Sequence, residues 1–105
     1  TLRIDYGQTS VVVTGCITSN GEKEIVSSGA AAACDALIVS RGGTEAATCA
    51  EWVEAAKPKV ALITGKNPAN SVRIRLQKYG ATVYAAKENG VMTLFSDGQE
   101  ITVEP

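Results

Sequence analysis

Apolar and polar residues alternate over residues 2–6 (Leu-Arg-Ile-Asp-Tyr), and a Val-rich run follows over residues 10–14, with Gly7-Gln8 between them. Alternation of period two predicts a half-buried strand, and two such runs a tight turn apart predict a β-hairpin, here ending at Gly15. Asn20 is placed to cap a short helix with Glu22 and Glu24 in its first turn, where negative charge is favoured. Ile25 and Val26 supply its apolar side and Gly29 its stop. A small-residue link over residues 30–34 leads to Ala36-Leu37-Ile38-Val39, a continuous apolar run like that of a strand covered on both faces.

That run ends at Ser40-Arg41-Gly42-Gly43-Thr44, where two glycines permit unusual backbone angles. Residues 45–57 carry Ala46, Cys49, Ala50, Trp52, Val53 and Ala56 mostly on one side at helical spacing, and Pro58 closes the segment. Residues 60–63 predict a second buried strand, and the polar loop 65–70 leads into a helix over 71–79. Val72, Leu76 and Tyr79 lie on its inner side, Arg73, Arg75 and Lys78 on its outer side, and Gly80 ends it. Strands are predicted over 82–85, 91–95 and 100–103, joined by turns at Glu88-Asn89-Gly90 and Asp97-Gly98. The order β-β-α-β-α-β-α-β-β-β predicts an α/β domain with a mixed β-sheet, parallel crossovers in the middle and antiparallel hairpins at both ends.

A chain of 105 residues, 45% hydrophobic and 20% charged, has the size and composition of one globular domain spanning 1–105. Ten basic against eleven acidic side chains leave a net charge of -1, which gives no reason to expect tight nucleic-acid binding by the whole surface. No apolar run approaches the ~20 residues a membrane-spanning helix needs. The opening residues read as a strand rather than a signal peptide, as in a piece of a longer protein. Cys16, Cys34 and Cys49 form neither a disulfide framework nor a C-x-x-C pair, and the chain contains no histidine.

Three segments, "YGQTSVVVTGC", "CDALIVSRGGT" and "AAKPKVALITGKN…RLQKYGATVYAAKENGVMTL", carry a family resemblance. Together they resemble the C-terminal half of a metallo-β-lactamase-like domain of the kind attached to DNA-internalisation competence proteins of the ComEC type. The resemblance implies one half of an αββα sandwich. It also implies a bacterial membrane-associated parent protein for DNA uptake, with this piece itself soluble. In that family the first strand pair ends in T-G-D, whose aspartate serves the metal; here Thr14-Gly15-Cys16 stands in its place. The family's P-H-H-G-S corresponds to Ser40-Arg41-Gly42-Gly43-Thr44, and its G-H-P-S loop to the histidine-free stretch Lys66 to Ser71. The H-x-H-x-D-H signature belongs to the family's first half, which is not in this chain.

Zinc hydrolases build their sites from His, Asp, Glu and Cys around an open water position. Cys16 alone is not such a set, and Arg41 puts a permanent positive charge where the family holds a cation. Cys16, Ser40, Arg41, Gly42, Gly43 and Thr44 are therefore read as vestigial site positions, with no catalytic residue, metal or cofactor expected. Arg41, Lys66 and Asn67 are candidate anion or DNA contacts, joined in a small basic patch by Arg73 and Arg75; the plainer reading is a turn and solvated surface. Asp35 is read as a local cap or pair, and Trp52 as core or contact surface.

The expected function is a non-catalytic piece of a DNA-uptake protein, acting by contact with DNA, weakly, or with the rest of a membrane channel protein. The alternatives are half of a metal-dependent hydrolase site completed elsewhere, or a purely structural domain. The helices are expected to cover one sheet face only, which predicts a homodimer burying the other unless the terminal strands fold back over it.

Overall fold

The strands of the main sheet lie side by side in the order in which they leave the chain. The computed structural model describes residues 1–29, 33–90 and 92–104. Its five-stranded sheet has the order β1 (Leu2–Tyr6), β2 (Thr9–Val13), β3 (Ala36–Ile38), β4 (Val60–Ile63), β5 (Thr82–Ala85). The β1–β2 pair is antiparallel and the next three pairings are parallel. The expected mixed sheet is therefore present.

The crossovers contain α1 (Ser19–Ser27), α2 (Ala50–Ala56) and α3 (Asn70–Lys78). Crossovers of one hand that always step in the same direction put every helix on the same face of the sheet. The core obeys this rule. Trp52, Val53, Ala56, Val72 and Leu76 from the helices pack on Val12, Leu37, Val39, Ala61, Ile63 and Ala85 from the sheet. With so few aromatics, Trp52 is the largest fully buried side chain.

The opposite face carries Leu2, Ile4, Val11, Val13, Ile38, Val60, Leu62 and Tyr84, by register and alternation. Part of it is closed within the chain, by the outcome that rivals association through that face. After the short helix α4 (Ala86–Asn89), strands β6 (Thr93–Ser96) and β7 (Ile101–Glu104) form a separate two-stranded hairpin. Ser96 Oγ lies 2.6 Å from Thr9 Oγ1, and Gln8 N–H donates to Gly98 O at 2.5 Å. Gln99, Glu100 and Ile101 share a cleft with Asp35, Lys59 and Val60. The hairpin thus covers the N-terminal end of the sheet, while Leu2, Ile4 and Tyr6 stay 58%, 49% and 61% exposed. Backbone closeness makes this docking specific: a methyl group on Gly7 would overlap the Gly98 carbonyl.

Several boundaries differ from the sequence expectation. Asn20 lies inside α1, whose N-cap is Thr18. The second helix begins at Ala50 rather than near residue 45, because the chain before it is held open by another element. Glu22 of α1 is completely buried, and its two carboxylate oxygens accept the N–H groups of Thr48 (2.8 Å) and Cys49 (2.9 Å). Cys49 is the N-cap of α2, so Glu22 supplies from another helix the reach-back half of a capping box. Thr48 takes a left-handed backbone (φ 62°), and its carbonyl accepts from Arg75 Nη1 at 2.6 Å. Arg75 is therefore engaged inward, not displayed on the outer side. A helical turn also occupies 86–89, taking in the first two residues of the turn expected at 88–90. The link residues 30–32 and Val91 lie outside the described residues.

Glu22→Gln keeps the shape of the side chain but replaces one acceptor oxygen by a donor facing a buried N–H. It is expected to lower unfolding stability by about 1–3 kcal/mol. Urea titration followed by the fluorescence of Trp52, the only tryptophan, checks this; an unchanged midpoint contradicts it.

Candidate functional site

Parallel strands end on one edge of a sheet, and the loops that follow them gather there. Here the gathered loops are Thr14-Gly15-Cys16 after β2, Ser40 to Thr44 after β3 and Thr64 to Pro68 after β4. The strand order does not reverse within the parallel stretch, so no crevice opens between diverging crossovers, and the loops close on one another. Thr14 Oγ1 donates to Ile38 O at 2.7 Å. Ser40 Oγ donates to Ile17 O at 2.5 Å, and Arg41 N–H to Gly15 O at 3.0 Å. Gly43 O accepts from Ala69 N–H at 2.9 Å, which ties the third loop to the second.

Ser40–Gly43 forms a 3-10 turn in which Arg41 and Gly42 both adopt positive φ, 50° and 64°. Gly42 and Gly65 meet backbone to backbone. A methyl group on Gly65 would overlap the Gly42 carbonyl and lie 2.8 Å from its Cα, so only glycine permits this closure. Arg41 and Lys66, each the neighbour of one of these glycines, consequently flank the same contact, and both are exposed. Asn67 is exposed on the same loop as Lys66, and Thr44 is exposed at the end of the turn.

Two of the positions expected to be vestigial touch directly: Arg41 Nη1 donates to the Cys16 carbonyl at 3.2 Å. The residues do not fit a hydrolytic metal. The only soft donor there, the exposed Cys16 thiol, sits on a residue whose carbonyl already receives a guanidinium. Among the described residues no three His, Cys, Asp or Glu side chains group as ligands. Arg73 and Arg75 do not extend the patch. Arg73 forms an ion pair with Glu88, and Arg75 serves the Thr48 carbonyl. Asp35 lies at the other end of the sheet, where it accepts from Ser10 N–H at 2.9 Å and pairs with Lys59 at 3.6 Å, so its partners come from distant parts of the chain rather than from its own neighbourhood.

What sequence reasoning missed is the closure itself. The Gly42–Gly65 contact joins loops 23 positions apart; two glycines at equivalent strand ends were the only signal for it. The sequence places Glu22 only in a first turn that favours negative charge, since nothing local marks its acceptor role.

No family model, curated protein or solved structure matches this chain. Among the described residues no helix is long and apolar enough to cross a membrane.

The three thiols differ sharply in environment. Burial pushes Cys34 up from 9.0 to about 11, and the same cause raises the partly buried Cys49, whereas Cys16 is exposed. Thiolate is the reactive form, so at pH 8 in the folded protein a maleimide should label the exposed Cys16 first and the buried Cys34 at least about tenfold more slowly. A raised folded value means that the folded state holds the proton longer. The contribution of Cys34 to stability is therefore complete below pH 9 and lost as pH rises toward about 11. Peptide mapping after timed labelling checks the order, and equal rates contradict it.

Proposed function

We propose that this chain is a non-catalytic metallo-β-lactamase-like piece of a DNA-uptake competence protein, and that it acts by contact rather than by chemistry. The three segments quoted above support the family. The observation that carries the contact reading is the position of Arg41, whose guanidinium lies on the Cys16 carbonyl where the family's metal ligands would converge. The loops there are shut by glycine contact and present Arg41, Lys66 and Asn67 outward, a rim suited to a phosphate backbone. The part of the sheet's open face not covered by the β6–β7 hairpin is the surface offered to the rest of the channel protein.

Two exposed cations release few counterions, so DNA binding is expected to be weak, with a dissociation constant of about 10 µM or more at physiological salt. The slope of log affinity against log salt is expected near -2, and Arg41→Ala should reduce its magnitude by about one. Fluorescence anisotropy with single- and double-stranded oligonucleotides at several salt concentrations reads all three quantities. Submicromolar binding that survives physiological salt, or indifference to Arg41→Ala, contradicts the reading.

Zinc and manganese titration calorimetry separates it from the hydrolase alternative. No stoichiometric binding tighter than the Cys16→Ser control is expected, and one tightly held ion per chain would revive a metal site.

A further inference from the structure

We infer that a second copy of this chain pairs edge to edge with β1, antiparallel about a two-fold axis through Ile4, to form one continuous sheet. Strand β1 (Leu-Arg-Ile-Asp-Tyr) is the outer strand of the five-stranded sheet, with β2 on its inner side. Such an edge is a template for another strand unless proline, a bulge or repelling charge blunts it. Here β1 has no proline, and its two charges are of opposite sign.

The hairpin fixes which residues face outward. Tyr6 and Thr9 flank the two-residue turn Gly7-Gln8 and form a hydrogen-bonded pair, as do Ile4 with Val11 and Leu2 with Val13 by alternation. The peptide groups of Leu2, Ile4 and Tyr6 thus point to β2, and those of Arg3 and Asp5 point to the outer edge. A second copy must bond through Arg3 and Asp5, which leaves three antiparallel registers. One sets Arg3 against Arg3 and another sets Asp5 against Asp5. Only the register centred on Ile4 sets Arg3 of each copy against Asp5 of the other.

Arg3 and Asp5 already pair within their own strand, Nη2 to Oδ1 at 3.2 Å, and Arg3 Nη1 also reaches Ala33 O at 2.6 Å. Across the axis these charges become an alternating quartet. On the other face the same register sets Ile4 against Ile4 and each Leu2 against the second copy's Tyr6. These are the residues left 49%, 58% and 61% exposed in the single chain. The operation is self-complementary, so it closes at two copies and does not propagate. One strand pair with its side chains belongs to the size class, below about 1,200 Å², that gives reversible association. The interface is distinct from the Arg41 rim and does not depend on the DNA reading.

Sedimentation equilibrium of the 105-residue chain across a concentration series tests it, with circular dichroism confirming the fold of each variant. The native chain is expected to show a reversible monomer–dimer equilibrium. Arg3→Asp or Asp5→Arg alone sets like charges opposite each other twice and should weaken the dimer at least about tenfold. The double exchange Arg3→Asp with Asp5→Arg should restore it, and so should mixing the two single variants, whose charges complement only in the mixed dimer. Three results would overturn the inference: a native chain monomeric throughout, a dimer indifferent to both single changes, or no recovery in the mixture. A dimer that survives both changes but is lost in Ile38→Glu would place association on the sheet face instead.

Discussion

The helical layer depends on one carboxylate. Glu22 is fully buried, and a carboxylate in such a place is tolerable only when donors hold it. The Thr48 and Cys49 amides hold it, one on each oxygen. That demand shapes the neighbouring chain: residues before α2 must stay out of the helix to present two successive N–H groups, with Thr48 left-handed and Cys49 extended. The same turn aims the Thr48 carbonyl at Arg75 on α3. All three crossover helices are thereby keyed to one short loop. Their apolar faces supply most of the free energy, but Glu22 decides where along each other α1 and α2 sit.

The parts of the fold that could be read from sequence are those whose signal is local. Apolar runs at 36–39 and 60–63 marked the central strands, and Gly7-Gln8 and Asp97-Gly98 marked hairpin turns. The start of α2 could not be read this way, because Ala46, Cys49 and Ala50 keep helical spacing while a side chain 26 and 27 positions away claims the backbone. Arg75 misled for the same reason, as its acceptor lies on another element. At the strand ends the grouping of Cys16 with Ser40, Arg41, Gly42, Gly43 and Thr44 is an expectation of the family resemblance alone, whereas the nearness of Lys66 and Asn67 to Arg41 is legible because neighbouring parallel strands end together. Whether those loops would part or close was not, because that depends on the Gly42–Gly65 approach across space.

Monotonic strand order links the two surfaces that carry the functional reading. It removes the crevice where a doubly wound sheet would hold a ligand, and it puts every helix on one face. One end of the sheet is left as a shut, polar rim and one face as an apolar surface only partly roofed. Both are suited to contact with large partners more than to enclosing small ones, and both follow from topology before any particular side chain is considered.

The roof itself has a kinetic meaning. The bond from Gln8 to Gly98 ties together residues 90 positions apart, while the main sheet grows by pairing each new strand with the one made just before it. Long closures cost chain entropy before their contacts return anything, so local pairings lead and distant ones follow. A two-stranded hairpin has little stability of its own and must wait for a surface to settle on. The β6–β7 clasp is therefore last on and first off. Each time it lifts, the molecule passes through a state in which the sheet is already built and its oily underside is bare.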